Sequence, residues 1–498
     1  MLLLSSLAAL LVVGLAGASA AAPGLGPRGW APGTVGLHLS PAAVTAVLWA
    51  AYLLGAFAVG WGLVRPSVQP PRGAWVIALG IGALLTCPFG SADHTNYAAY
   101  GRITAQGGDA YAVPPVTWAG GHDPVTGAVE PPWTMTPSIY GPFATLLQAA
   151  ASLVGGANLR QTVWVWQLLV VAAWLVVRRV LLHVAADPGE RRRVELLWTW
   201  NPVLFGVAVL GAHVDVLACA LALAALVVAA RAPWGAGLLL GLVVGTKVTY
   251  AVVGLAILWS WRHRAHRDLV RRTLELVLGA LAVLVPLHLW AGRHVFDQLL
   301  QARRSVSLAT PWRLAVELLT GPVSSTAVRS LVSLAAAAVT VVLALMLAVI
   351  LRSGGSPAPT PGQHGADRRL EDRRPEDHRL EVAGSLRATF VLGTAYTLGA
   401  PYSLPWYDAL TWAALPLVAA TALDLVLLGR SAVMALAYVP GRVVGLTPGV
   451  QDVTLGFRRH AAPYVGLLAW ALIVAIARRT GAAVGRAPAS PRPRARGR

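Results

Sequence analysis

Charged residues are scarce in this chain of 498 residues, where they make up 12% against 56% for hydrophobic residues. Soluble globular proteins average about 25% charged residues. The shortage of charge and the mean hydropathy of +0.63 exclude both a soluble enzyme and a disordered chain. Many apolar runs reach about 20 residues, which is enough to cross roughly 30 Å of hydrocarbon. The sequence therefore predicts a polytopic integral membrane protein of the all-α class.

Cysteine is rare as well. The chain has two, Cys87 and Cys219, which lie in apolar segments and belong to no CxxC motif or Cys/His cluster. This spacing excludes a disulfide scaffold and offers no ligand set for a structural metal. We interpret both thiols as small buried hydrophobic groups, and we expect the site to hold neither a metal ion nor another cofactor.

Lysine is nearly absent, because 39 of the 40 basic residues are arginine and the other is Lys247. The formal net charge is +19. The arginines cluster in short loops at the ends of apolar runs, a pattern typical of cytoplasmic loops. No basic face is interleaved with aromatic residues, as nucleic-acid binding requires. Membrane orientation therefore explains the charge, and we expect no nucleic-acid partner.

The apolar runs predict about 13–14 transmembrane helices with a long first outer loop at residues 90–137. That loop carries four acids and a single arginine, which places it outside. Residues 2–20 end like a signal peptide but lack a basic start, so we favour an uncleaved first helix. If residues 138–157 crossed the membrane fully, the arginine-rich loops that follow would fall on the outer side. We therefore predict that 138–157 is re-entrant or lies along the interface. The alternative is a misjudged crossing elsewhere.

The predicted domain organisation has five parts. They are N-terminal transmembrane helices (1–70), a transmembrane core (71–351), a flexible cytoplasmic loop (352–384), C-terminal transmembrane helices (385–480) and a disordered basic tail (481–498). The loop is predicted from a Gly/Pro-rich lead followed by mixed charges. We also predict apolar segments over 41–64, 214–230, 407–429 and 431–446.

The outer loop contains the first candidate site, the stretch SADHTNYAAYGRITAQGGDAYAVPP at residues 91–115. Ser91 is placed to cap a helix over about 92–106, in which Asp93, Tyr97 and Tyr100 share one face. A carboxylate at a helix start is stabilised by the helix dipole. The plainer interpretation is a helix-start charge beside an interfacial aromatic residue.

A second cluster lies in the stretch WNPVLFGVAVLGAHVDVLACALAL at 200–223, where Asn201 and Pro202 predict a helix break. His213 and Asp215 then interrupt the apolar run, and the parity of the crossings puts them on the outer face with Lys247. Snorkelling would also account for Lys247, but it does not account for lysine in place of arginine. A lysine supplies a compact point charge suited to phosphate.

Further candidates lie on the same predicted face. Each has a plain alternative: interfacial anchoring for Tyr140, a solvated charge pair for Arg303 and Arg304, and an aromatic belt for Trp406 and Tyr407. The functional interpretations are phosphate binding by the arginines and sugar stacking by the two aromatic residues.

Together these motifs resemble the GT-C glycosyltransferases, in particular the polyprenyl-phosphate-mannose-dependent mannosyltransferases of the actinobacterial cell envelope. The run D-H-T-N-Y at 93–97 is similar to their D-x-x-S/N-Y element, and G-G-D-A-Y at 107–111 to their G-x-D-P-Y element, with Ala110 in place of proline. Residues 201–215 resemble their N-P…G-x-H-x-D element. Lys247 and the Trp406–Tyr407 pair also have counterparts there. The resemblance covers about residues 75–420.

The resemblance implies an outer-face enzyme that moves mannose from polyprenyl-phosphate mannose to a glycan or lipoglycan acceptor. It implies inversion at the anomeric carbon, with Asp93 as general base. The leaving phosphate would be bound by Lys247, His213, Arg303 and Arg304. The implied substrate-binding residues are Tyr97, Asp109, Tyr111, Tyr140, Asp215, Trp406 and Tyr407. Membrane lipids are further partners, and no metal is required.

Three alternatives stay open at this point. A lipid or glycan transporter fits the number of crossings, although transporters tend to be built from internal repeats and no motif of the first half recurs in the second. A transferase for another polyprenyl-phosphate sugar, such as arabinose, would need the same phosphate-binding parts. A non-catalytic assembly partner would not need Asp93, His213 and Lys247 around one cavity.

Overall fold

The computed structural model describes residues 1–71, 73–302, 305–320, 324–353 and 370–485. Helix accounts for 74% of the structure, and the described residues contain no strand. The all-α class predicted from the sequence is therefore confirmed.

The helices of the first half of the chain are α1 (Leu2–Ala16), α2 (Pro41–Val64), α3 (Ala74–Leu85), α4 (Asp93–Ala105), α5 (Pro142–Gly155), α6 (Leu159–Val184), α7 (Pro188–Val194), α8 (Pro202–Leu204) and α9 (Val214–Ala229). Their starts follow local capping chemistry. Ser40 and Asn158 accept hydrogen bonds from the backbone N–H groups of the first turns of α2 and α6. Proline at the first helical position begins α2, α5 and α7.

The remaining helices are α10 (Pro233–Thr246), α11 (Val252–Ser260), α12 (His266–Ala291), α13 (Val295–Ala302), α14 (Trp312–Leu319), α15 (Ser325–Ser353), α16 (Leu370–Gly399), α17 (Ala409–Ala414), α18 (Leu423–Tyr438), α19 (Pro448–His460) and α20 (Ala462–Gly485). Small residues bring α10 and α12 together. A Cβ on Gly237 would lie 2.3 Å from the carbonyl oxygen of Leu276, so only glycine permits this approach.

Five helical stretches among the described residues are long and apolar enough to span a membrane. They are Pro41–Val64, Leu159–Val184, His266–Ala291, Thr326–Arg352 and Pro448–Ala482. A sixth span forms if Pro188–Leu210 and Val214–Ala229, which meet at a bend of 111°, count as one. The structure is thus that of a polytopic membrane protein, and the number of about 13–14 crossings stays a prediction.

The shorter apolar helices include α5, which covers the segment predicted to be re-entrant or interfacial. Its 14 residues rise about 21 Å, less than the hydrocarbon thickness. The helix α1 packs into the core, where Leu10 is fully buried and the Ser6 hydroxyl donates a hydrogen bond to the Ala51 carbonyl at 2.7 Å.

Arginine-rich loops that the sequence places on one side of the membrane also meet in the structure. The Arg192 guanidinium donates to the backbone carbonyls of Gly62, Arg65 and Val68. Arg264 pairs with Glu381 at 2.5 Å, which joins the segment just before α12 to α16. These contacts favour a common side for the arginine loops, and the side itself stays a prediction.

The structure differs in detail from the sequence interpretation in two segments. The predicted loop over 352–384 is helical from Leu370 onwards, and Glu381 within that part of α16 pairs with Arg264 and Arg272. The rest of the loop from 354 to 369 and the tail from 486 lie outside the described residues. The apolar segments predicted over 407–429 and 431–446 are instead α17 and α18, with a break between them at Pro416 and an end before Pro440, because proline lacks a backbone donor.

Candidate active site

The acid nominated from the sequence begins α4. The predicted helix is confirmed over Asp93–Ala105, although Ala92 rather than Ser91 is its N-cap residue. The Ser91 hydroxyl instead accepts the Asp93 N–H at 3.3 Å and lies 3.2 Å from His213 Nε2. The Asp93 side chain is 14% exposed, and its Oδ2 lies 3.6 Å from His213 Nδ1.

A broken helix carries His213 to this position. Asn201 caps α8 with its side-chain oxygen, and Pro202 follows at the first position, as the sequence predicts. The chain then bends ahead of α9, where Ala212 adopts a φ of 53° and its carbonyl accepts the Trp166 indole N–H at 2.8 Å. A Cβ on Gly211 would lie 2.7 Å from the His213 ring, so the bend requires glycine there.

The lone lysine follows the last residue of α10 and is largely buried. Its Nζ donates to Asp215 Oδ1 at 2.7 Å and lies 3.6 Å from the centre of the Tyr407 ring. The Tyr250 hydroxyl also donates to Asp215 Oδ1, at 3.4 Å. An ammonium group has three donors, so this pairing leaves Lys247 able to contact an anion on its open side.

Asp93 and Lys247 line one cavity of about 230 Å³. The rest of its wall is mainly aromatic. The lining residues include Tyr100, Trp133, Tyr140, Tyr396, Tyr402, Trp406 and Tyr407. A pocket with aromatic walls and a few charged groups suits a small polar ligand joined to an apolar one.

The late segment of the wall is held by a buried ion pair. Trp406 and Tyr407 belong to a 3₁₀ turn over Pro405–Asp408. Both Asp408 oxygens accept from the Arg430 guanidinium of α18, and Oδ2 also accepts from the Ser431 hydroxyl at 2.8 Å. The pair is 5–8% exposed. Arg430 therefore positions the turn that carries Trp406 and Tyr407.

Replacing Arg430 with methionine is expected to lower the thermal unfolding midpoint in detergent, because it leaves Asp408 buried without its cation. Breaking one side of a buried pair costs about 3–5 kcal/mol. The double variant Arg430→Met/Asp408→Leu removes both charges and is expected to recover most of that stability. A single variant that unfolds at the wild-type midpoint would contradict this role for the pair.

The structure brings together most of the residues predicted for the site. Asp93, Tyr140, Lys247, Trp406 and Tyr407 line the cavity. Three other predicted residues lie behind the cavity wall. His213 contacts Asp93, the Tyr97 hydroxyl lies 3.4 Å from His213 Nδ1, and Asp215 pairs with Lys247. Asp93, His213 and Lys247 thus lie in or directly behind the wall of one cavity. This arrangement disfavours the alternative of a non-catalytic assembly partner, which would not need these residues together.

Asp109 and Tyr111 do not line this cavity. Asp109 Oδ2 lies 2.8 Å from His294 Nδ1, and the Tyr111 hydroxyl lies 2.8 Å from the hydroxyl of Thr145. Tyr111 also packs against Ala291 and Val295. These contacts dock the outer loop onto α5 and onto the α12–α13 junction. Their predicted substrate contacts stay predictions, as do those of Arg303 and Arg304, which lie outside the described residues.

Several cavity residues were not nominated from the sequence. Trp133 and Tyr402 come from loops, where a lone aromatic residue gives no periodic signal. Asn96 lies on α4 and lines the cavity, and its side-chain oxygen has no protein partner in the described part of the chain. Its place three residues after Asp93, nearly a full helical turn, is the signal that identifies it.

A metal centre finds no support in the same region. Across the described ranges, no group of three or more His, Cys, Asp or Glu side chains is arranged to hold a metal ion. Cys87 and Cys219 are both buried free thiols.

Comparison with known protein families identifies the family of this chain. A family model described as alpha-(1->6)-mannopyranosyltransferase, N-terminal domain, matches residues 4–263, just over half of the chain. The chain belongs to this family. The region shared with the alpha-(1->6)-mannopyranosyltransferases contains Asp93, His213 and Lys247, whereas Trp406 and Tyr407 lie beyond it.

Two curated relatives carry the same family name. Alpha-(1->6)-mannopyranosyltransferase B of Corynebacterium glutamicum is 38% identical over 82 residues, which cover 16% of this chain and 13% of the relative. Alpha-(1->6)-mannopyranosyltransferase A of Mycobacterium tuberculosis is 25% identical over 202 residues, 40% of this chain and 39% of the relative. The matches thus span well under two thirds of either relative. No solved structure matches the chain.

Proposed function

We propose that this chain is a membrane mannosyltransferase that moves a mannosyl group from polyprenyl-phosphate mannose to a glycan or lipoglycan acceptor on the outer face of the cell membrane. The observation that carries the proposal is the shared cavity: a carboxylate, Asp93, and the chain's only lysine line the same aromatic pocket. Family membership supports mannose as the transferred sugar.

The chemistry assigns one role to each charge. Asp93 removes the proton from the acceptor hydroxyl as that oxygen bonds to the anomeric carbon. The bond from the anomeric carbon to the phosphate oxygen breaks, and its electron pair leaves with the polyprenyl phosphate. Lys247 stabilises the negative charge that develops there. A single displacement of this kind inverts the anomeric configuration.

The aromatic wall suits both ends of such a reaction. Pyranose rings stack on Trp and Tyr through the C–H groups of one ring face, and the cavity-facing sides of Trp406 and Tyr407 offer such surfaces near Lys247. Asn96 adds a polar side chain to the cavity lining, three residues after Asp93. Seven aromatic residues on the wall also exclude water, which competes with the acceptor for the donor.

The test is direct transfer by the purified protein. It is incubated in detergent with polyprenyl-phosphate mannose and a mannoside acceptor, and the product is detected by mass spectrometry. Parallel reactions contain GDP-mannose or polyprenyl-phosphate arabinose as donor. We expect transfer from polyprenyl-phosphate mannose alone. Transfer from the arabinose lipid would replace the donor in the proposal, and the absence of transfer from every donor by folded protein would refute the proposed activity.

The rate of transfer is expected to rise with pH. Burial raises the pKa of Asp93 to about 7, with Lys247 opposing that rise and Asp215 adding to it. A general base works as the carboxylate, so its active fraction grows about fivefold between pH 6 and 7 and less than twofold between pH 7 and 8. Initial rates from pH 5.5 to 8.5 check this. A rate that stays constant down to pH 5 would exclude Asp93 as the titrating base.

A further inference from the structure

His213 has a place in the structure that the phosphate-binding prediction does not account for. It is 1% exposed and is not among the residues that line the cavity. Trp406 does line the cavity, and its ring lies flat on the imidazole with the ring centres 3.6 Å apart and the planes 12° apart. One face of the imidazole is therefore covered by a cavity wall residue.

Both ring nitrogens of His213 face the start of α4. Nδ1 lies 3.6 Å from Asp93 Oδ2 and 3.4 Å from the Tyr97 hydroxyl, while Nε2 lies 3.2 Å from the Ser91 hydroxyl. The distance to Asp93 is longer than a hydrogen bond. Such catalytic contacts often shorten only when substrate binds.

The donor inventory indicates which tautomer serves an ionised Asp93. That carboxylate only accepts hydrogen bonds, so a hydrogen bond to it from His213 requires the proton on Nδ1, which also faces the Tyr97 hydroxyl. Nε2 must then accept, and Ser91 must donate to it. The Ser91 oxygen meanwhile accepts the Asp93 backbone N–H. Ser91, His213 and Asp93 thus form a closed set of polar contacts with one consistent direction.

We propose that His213 is a positioning residue for Asp93, whose carboxylate it orients towards the acceptor through Nδ1 while Trp406 and Ser91 fix its ring. This inference rests on the proposed function, in which Asp93 is the base. It assigns His213 to the base side of the site, and it leaves the donor phosphate to Lys247.

Other groups act on the same carboxylate and must be kept constant in any test. The nearby charges are Lys247, which lowers the pKa of Asp93, and Asp215, which raises it. Further titratable neighbours among the described residues include His94, which is coupled electrostatically to His213, and the tyrosines coupled to Asp93: Tyr97, Tyr100, Tyr140, Tyr402 and Tyr407. The variants below leave all of these unchanged.

Two variants separate the nitrogens of His213 from its ring. His213→Phe keeps an aromatic ring against Trp406 but has no nitrogen. His213→Asn loses the ring but places an amide N–H near the position of Nδ1. A role in packing predicts that phenylalanine is the milder change, whereas a role in positioning Asp93 predicts that asparagine is.

We expect His213→Phe to lower kcat for mannosyl transfer on the order of 10²-fold with little change in KM for the donor, because misplacing a reacting group by about 1 Å costs that much. We expect His213→Asn to recover most of the loss. Wild-type kcat in His213→Phe, or an equal loss in both variants, would overturn the proposal.

A second readout needs no activity. Dicyclohexylcarbodiimide reacts with protonated carboxyl groups, and peptide mass spectrometry locates the adduct at Asp93. Losing the polar N–H group that faces the Asp93 carboxylate at 3.6 Å is expected to raise the pH of half-maximal labelling by up to about one unit in His213→Phe but not in His213→Asn. An unchanged midpoint in His213→Phe would overturn the proposal. If the wild-type protein shows no transfer but His213→Phe still shifts the labelling midpoint, the proposed function is refuted. The contact between His213 and Asp93 is then retained.

Discussion

Replacing Asp93 with asparagine is expected to reduce mannosyl transfer by about 10²–10⁴-fold, the range that a general base contributes. Asparagine has nearly the same shape and still accepts a hydrogen bond from His213, so the site keeps its geometry. It cannot accept the proton of the acceptor hydroxyl. The measurement is the initial rate of transfer from polyprenyl-phosphate mannose at pH 8, where wild-type Asp93 is mostly ionised.

The matched control for this variant is Asp297→Asn. Asp297 is exposed in the first turn of α13, on the same predicted face of the membrane, and we expect that variant to transfer at the wild-type rate. Both variants should elute as the wild type does in size-exclusion chromatography. Asp93→Asn protein that transfers within a factor of three of the wild type would exclude Asp93 as the base.

Replacing Lys247 with methionine is expected to lower kcat/KM for the donor by about 10²–10³-fold, because a preorganised positive charge at the leaving group is lost. Methionine keeps the length and apolar stem of the side chain. The variant also leaves Asp215 buried and unpaired, which costs several kcal/mol of stability. Steady-state kinetics with varied polyprenyl-phosphate mannose measures the first effect, and the thermal unfolding midpoint measures the second.

The double variant Lys247→Met/Asp215→Asn separates the two effects. It removes both charges of the pair, so we expect its unfolding midpoint to return towards that of the wild type while transfer stays low. Asp215→Asn alone keeps the ammonium, so we expect it to bind polyprenyl monophosphate at least as tightly as the wild type in calorimetric titration. If the double variant transfers at the wild-type rate, Lys247 has no role at the phosphate.

Much of the helical framework was predictable because its signals are local. The apolar run at 41–64 coincides with α2, and the run predicted over 214–230 matches α9 to within a residue. Helix length and apolarity depend on side chains within about 20 residues of one another, and proline breaks a helix wherever it stands. The break at Asn201 and Pro202 was found for the same reason.

Predictions failed where distant partners decide the conformation. The charged stretch that begins at Leu370 reads as a loop, but Glu381 meets Arg264, a residue 117 positions earlier. The sequence nominated Trp406 and Tyr407 but not Arg430, the cation that holds their turn through Asp408. The sequence does not indicate that Asp408 pairs with Arg430, because an arginine in an apolar helix has many possible partners.

The sequence by itself determined the membrane class and singled out the unusual residues Asp93 and Lys247, since these follow from composition and from the cost of burying charge. Only the tertiary structure decided which polar groups meet. It placed His213 against Ser91, 122 positions away, and set Asp109 outside the cavity. Contacts of a few ångströms between distant segments depend on how helices pack, which no local pattern encodes.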